Sequence, residues 1–99
     1  MLVGNEHKKY LDAASANSFA LWYAKGIYEN QRKDYKDRRV LNLTRSGYAS
    51  GQKYGAVLWS GDTCATWETL RIQIKEGLNM GLSGYPYWTL DIGAFFTVG

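Results

Sequence analysis

Three residues of this chain have the types and the placement to do chemistry together: Arg45, Asp62 and Asp91. Residues 41–62 read LNLTRSGYASGQKYGAVLWSGD, so Arg45 ends one strand-like run and Asp62 stands just past the end of the next. A third run, residues 85–91 (YPYWTLD), again ends on a carboxylate. In a barrel of parallel strands each followed by a helix, catalytic groups sit at the carboxyl ends of the strands. The three side chains would then converge on one rim. Trp59 and Trp88 lie on the same runs, and aromatic rings have flat apolar faces with polar edges. An arginine and two carboxylates beside such rings suit a sugar ring.

The elements that must position these groups can be read from periodicity. Residues 12–33 read as a helix, with Ala16, Phe19, Ala20, Tyr23 and Ile27 recurring at steps of three and four on one face. Asp12 or Ser15 offers an N-cap oxygen, and the polar cluster at 30–39 ends the pattern. Residues 40–44 and 56–60 have strand character. The link between them, 46–55, holds three glycines and is too short for a crossover helix with its turns. A second helix spans about 66–80, with Trp67, Leu70, Ile74 and Leu78 as its apolar stripe and Gly81 and Gly84 as stops. Residues 85–90 are the third strand, with Pro86 near its start, where a missing N–H is tolerated. The order helix, strand, strand, helix, strand predicts an α/β arc of parallel strands with a right-handed crossover through the second helix.

The motifs TRSG (44–47), WSGD (59–62) and LDIGAF (90–95), with GQKYG (51–55) between the first two, occur in order and at matching intervals. Together they resemble glycoside hydrolase family 31, whose members include α-glucosidases and α-xylosidases. The likeness runs from about Asn17 to Phe96. It implies a partial TIM (β/α)8 barrel, about strands 5–7 with flanking helices, and residues 1–99 as one fragment of that catalytic barrel. The function it implies is part of a retaining α-glycosidase that hydrolyses terminal α-linked glucose or xylose from oligosaccharides or glycosides. Asp62 resembles the family's general acid/base, Arg45 the residue that binds the sugar in the cleavage subsite, and Trp59 the aromatic lining that subsite. Asp91 resembles an aspartate that supports the arginine and borders the sugar. Two positions depart from the pattern: the family often has glycine where Ala94 stands and arginine where Lys53 stands.

A retaining mechanism needs two carboxylates roughly 5–5.5 Å apart, one as nucleophile and one as acid/base. The family's nucleophile lies in a tryptophan-and-aspartate motif on an earlier strand. Glu6 and Asp12 sit in no such motif, and His7 does not match the family's substrate-binding histidine. The resemblance thus implies that the acid/base, Asp62, is in this chain and that the nucleophile lies in sequence outside it, with the remainder of the barrel. The ending FFTVG at 95–99 is apolar and abrupt, as if more should follow. The isolated 99-residue chain is expected to be inactive and not a stable monomer. The alternative function is non-catalytic carbohydrate binding, or a fragment with no role of its own.

Each site residue also has a plainer reading. Asp62 could cap the helix that begins near Trp67 or favour its first turn electrostatically. Arg45 could form a rim salt bridge, with Asp91 as its partner, and Trp88 is more simply a packed strand residue. Cys64 reads as a small buried residue, since a nucleophilic cysteine needs a base and no second histidine exists.

Composition bounds the remaining classes. Ninety-nine residues, 45% hydrophobic and 21% charged, fit one globular domain, and 15% aromatic is high. The net charge of +3 is modest, and Lys33, Lys36, Arg38 and Arg39 alternate with Asp34 and Asp37, so a nucleic-acid partner is not expected. One histidine and one cysteine do not make a metal set. Gly47, Gly51 and Gly55 are spaced by four and lack the Lys-Ser/Thr ending of a phosphate loop. No metal or cofactor is expected. No apolar run approaches the roughly 20 residues of a membrane span, and residues 1–6 have no signal-peptide core. The expected partner is a carbohydrate substrate.

Overall fold

The structure is a computed structural model and describes residues 13–97. The expectations for Glu6, His7, an Asp12 cap and the first six residues fall outside the described residues. In chain order the regular elements are α1 (Phe19–Asp34), β1 (Asn42–Thr44), β2 (Ala56–Trp59), α2 (Trp67–Leu82) and β3 (Trp88–Thr89). The described residues fall into two compact units, 13–42 with 46–56 and 43–45 with 57–97.

In the first unit, a 3-10 helix at Ala13–Ser18 leads directly into α1. Ser15 is therefore inside that turn and does not cap the α-helix. Ser18 Oγ donates to the Ser15 carbonyl at 2.6 Å and accepts from Trp22 Nε1 at 3.3 Å, so the entry is a local hydroxyl relay without a side-chain cap. The helix ends where the polar cluster predicts, with Tyr35 N–H on the Gln31 carbonyl at 2.8 Å. Its packed face matches the predicted stripe in part: Phe19, Ala20 and Ile27 are half-buried, whereas Ala16 is exposed. Ala24 is buried, Leu21 and Tyr28 are half-buried, and Tyr23 is exposed. That face is centred one residue on from Tyr23, about 100° round the helix. Tyr28 meets Tyr54 edge to face at 5.8 Å. Tyr54 closes the single 3-10 turn Gly51–Tyr54, against which α1 packs. That turn occupies the lean link between β1 and β2.

In the second unit, which holds β3 and all but the first residues of β1 and β2, the three strands are neighbours in the order β1, β2, β3 within one sheet. β2 and β3 run parallel, with Leu58 opposite Trp88 and Trp59 opposite Thr89. The strands are shorter than predicted, and β3 has only two residues. Leu58 and Tyr85 are buried at the centre of this unit, whereas Leu43 is exposed.

Sequence chemistry sets both ends of α2. Thr66 is extended, and its Oγ1 accepts from the Thr69 N–H at 3.0 Å, satisfying one of the first-turn donors. Gly84 (φ +88) follows the helix, with its N–H on the Gly81 carbonyl and Tyr85 N–H on the Met80 carbonyl. This 5→2 and 6→1 pair is a Schellman stop. Gly84 is thus the stop, and Gly81 lies within the helix.

The predicted stripe of α2 is turned outward. Trp67, Leu70, Ile74 and Leu78 are all exposed, while Gln73 is buried and Thr69, Gly77 and Met80 are half-buried. Gly77 selects this face, because the Trp88 indole lies against the helix there. A Cβ at Gly77 would sit 2.6 Å from Trp88 Cζ3 and 2.9 Å from Cε3. A small residue, not an apolar one, decides which side of α2 meets β3. Trp88 is accordingly a packed strand residue.

Gly77→Ala forces the Trp88 ring or the helix to move and should cost about 1–3 kcal/mol. Gly81→Ala meets nothing within 4 Å, and its higher helix propensity should stabilise by up to about 1 kcal/mol. Denaturant melts of a complete barrel carrying the segment check this pair. Equal effects of the two alanines would contradict the packing described.

Candidate active site

Arg45 follows β1 directly, and Asp62 lies three residues past β2. Because β1 and β2 are neighbours, two residues far apart in sequence meet: Arg45 Nη2 donates to Asp62 Oδ1 at 2.7 Å. The Arg45 guanidinium carbon also lies 5.1 Å from the centre of the Trp59 ring. Arg45, Asp62 and Trp59 thus form one cluster at the strand ends. The helix-cap reading of Asp62 does not hold, since Thr66 takes that role four residues further on.

The pair is tight in distance but open to solvent, with the arginine side chain 53% and the aspartate 31% exposed. Exposed ion pairs contribute only about 0.2–1 kcal/mol. A cation over an aromatic ring at an exposed site adds roughly 0.5–1 kcal/mol. These energies hold the groups in register without locking them together. A sugar hydroxyl, which can both donate and accept, can replace either partner at small cost.

Asp91 does not join the pair. Among the described residues its carboxylate has no ion-pair partner, so the reading in which it braces Arg45 is not what the structure contains. Asp91 instead opens a turn closed by Ala94 N–H on its own carbonyl at 3.0 Å, with Gly93 at φ +88. A type II turn requires such a φ at its third residue. The turn and the start of α2 flank a cleft of about 450 Å³, lined by residues 63–67, 69, 70, 73 and 90–94. Cys64 lies on this cleft and is exposed, contrary to its reading as a buried residue. Its backbone forms a parallel bridge with Phe96.

The loop that carries Asp62 is tied to the loop that carries Asp91. The Thr63 carbonyl accepts from both Phe95 N–H at 3.0 Å and Phe96 N–H at 2.9 Å, and Ala65 N–H donates to the Phe96 carbonyl at 2.9 Å. Sequence reasoning missed this clip, because the bonds are made by backbone and no residue type signals them. It also gave Gly61 no role within WSGD, although that glycine is buried and has φ +76. Among the described residues no cluster of three His, Cys, Asp or Glu forms. No helix among them is long and apolar enough to cross a membrane.

Together these features define an α/β segment that presents an arginine, a carboxylate and an indole at its strand ends. Residues 3–98 match the glycosyl hydrolases family 31 TIM-barrel domain, and the chain belongs to that family. Over 81 residues it is 48% identical to an α-xylosidase of Saccharolobus solfataricus, which covers 82% of this chain and 11% of that protein. The crystal structure of an α-xylosidase from Xanthomonas citri superimposes with a TM-score of 0.78 at 44% identity, covering 83% of this chain and 9% of that one. An α-xylosidase from a soil metagenome, solved with xylose, gives 0.71 at 42% identity, covering 79% and 11%. The chain therefore spans about a tenth of the length of these relatives.

Ala94 has φ +63, a conformation that costs a residue with a Cβ roughly 1–2 kcal/mol. The glycine that the family often carries there would avoid this cost but lose about 0.5–1 kcal/mol in chain entropy. Ala94→Gly should therefore stabilise a complete barrel carrying the segment by up to about 1 kcal/mol, read from its melting midpoint. A clear loss of stability would contradict the left-handed turn.

Proposed function

We propose that this chain supplies an arc of about strands 5–7 to a retaining α-glycosidase barrel that removes terminal α-linked xylose or glucose. The observation that carries the reading is the Arg45–Asp62 pair beside Trp59, 2.7 Å between the charged groups at neighbouring strand ends. Family membership and similarity to α-xylosidases support it. Asp62 is the general acid/base: it protonates the leaving oxygen, then takes a proton from the water that releases the sugar. Arg45 holds hydroxyls of the sugar in the cleavage subsite, and Trp59 covers one of its apolar faces. Asp91 borders the same sugar from the turn after β3.

The covalent step requires a second carboxylate facing Asp62 across the anomeric carbon. That nucleophile comes from the rest of the barrel, so the 99 residues alone do not turn over substrate. Exposed apolar side chains support a larger barrel. Trp67 is 77% exposed, Leu78 67% and Leu41 70%, positions that neighbouring helices and strands of a closed barrel cover. Burying a leucine contributes roughly 1.5–3 kcal/mol, so a few such residues amount to a typical domain's whole stability of roughly 5–15 kcal/mol. Leu58, in contrast, is buried within its own unit.

The test uses a chimera in which the matching segment of the Saccharolobus solfataricus α-xylosidase is replaced by this chain. General acid catalysis contributes about 10²–10⁴-fold. Asp62→Ala should lower kcat/KM on alkyl or oligosaccharide xylosides by that order, while aryl xylosides with acidic phenols, which need little protonation, lose far less. Products should keep the anomeric configuration. Equal losses for both kinds of substrate, or inversion, would reject the assignment.

A further inference from the structure

The space beneath Arg45 is set by a residue to which the reaction scheme gives no part. Gly61 separates Trp59 and Ser60 from Asp62, is buried, and has φ +76. A Cβ built on it would lie 3.3 Å from both Cδ and Nε of Arg45 and 3.5 Å from its Cζ. The arginine stem therefore rests directly on the glycine backbone. Its far end is held by Asp62 at 2.7 Å, and its guanidinium lies 5.1 Å from the centre of the Trp59 ring. Three consecutive contacts from one short loop thus hold one side chain.

We propose that Gly61 is a positioning residue whose missing side chain is the space in which Arg45 crosses from Trp59 to Asp62. The inference rests on the sugar-binding role given to Arg45 above. A left-handed turn alone would admit an occasional asparagine or aspartate; the contact with Arg45 disfavours any Cβ. Separations of 3.3 Å are tighter than ordinary carbon contacts, so an added methyl displaces the middle of the arginine. Moving Cδ and Nε by a few tenths of an ångström swings the guanidinium away from its bond to Asp62. Hydrogen bonds weaken steeply as the donor angle closes, and binding groups must be held within roughly 0.5 Å of their productive place. Asp62 itself continues from the same backbone and keeps the Thr63 clip behind it. The loss should therefore fall on sugar binding more than on proton transfer.

A double-mutant cycle in the chimera tests this, because the two sites act as a unit only if Gly61 works through Arg45. On an activated aryl α-xyloside, Gly61→Ala should raise KM about tenfold or more, the scale of one charged hydrogen bond. The ratio of kcat/KM between good and poor leaving groups should stay unchanged, which a displaced Asp62 would alter. In an Arg45→Ala background, Gly61→Ala should change KM by less than about twofold. Its cost in melting midpoint should also shrink there, leaving only the backbone strain. Equal losses in both backgrounds, in activity or in melting, would overturn the proposal. If Arg45→Ala alone leaves activity intact, the sugar-binding reading falls, and the melting cycle still decides whether Gly61 makes room for the arginine.

Discussion

Backbone pairing between the β2 and β3 segments continues past the end of the sheet, and the geometry of the candidate site depends on it. Within the sheet, Leu58 N–H bonds the Tyr87 carbonyl at 3.2 Å and Ser60 N–H the Thr89 carbonyl at 3.4 Å. Beyond it, the Thr63 carbonyl takes two N–H groups from Phe95 and Phe96, and Ala65 bonds back to Phe96. Asp62 stands between these two sets of bonds. Its backbone is thus fixed on both sides, without help from its own side chain. A backbone clip of this kind tolerates changes of side chain, so substrate-facing residues can vary while the loop stays in place.

On that firm frame the charged cluster is held weakly. The Arg45–Asp62 pair is half exposed and contributes no more than about 1 kcal/mol. That division suits a binding site: the scaffold sets position, and the charges stay free to change partners when a ligand arrives. A buried pair of the same geometry would be costly to break, by roughly 3–5 kcal/mol, and would resist the exchange.

The sequence made some of this legible. The three strand regions and the end of α1 lie where periodicity and turn chemistry predict, and Gly84 is the stop for α2. The encounter of Arg45 with Asp62 followed from placing both at the ends of adjacent strands. Helix faces were the failure. On α2 the largest apolar residues mark a side that nothing among the described residues covers, and the packed side holds Gln73, Thr69 and Gly77. A hydrophobic stripe marks a face suited to burial without saying what buries it, so it misleads about which side of α2 meets β3. On α1 the small Ala24 lies deepest, and small residues add little to an apolar pattern. Asp91 could not be separated from Arg45 by sequence, because a pairing carboxylate and an unpaired one have the same residue type. Cys64 was misplaced because a small apolar residue type does not report whether its position is covered, and here it lies exposed on the cleft.

Asp62 is proposed to work as acid and then base in a two-carboxylate displacement. Removing it while leaving the nucleophile should let a small external anion intercept the covalent glycosyl intermediate, since no base is needed to activate it. The direct measurement is the rate and product of the Asp62→Ala chimera on an activated aryl α-xyloside, with and without sodium azide. If Asp62 has that role, azide restores turnover and yields xylosyl azide with the α configuration retained. No acceleration by azide, or a β-xylosyl azide product, would contradict it.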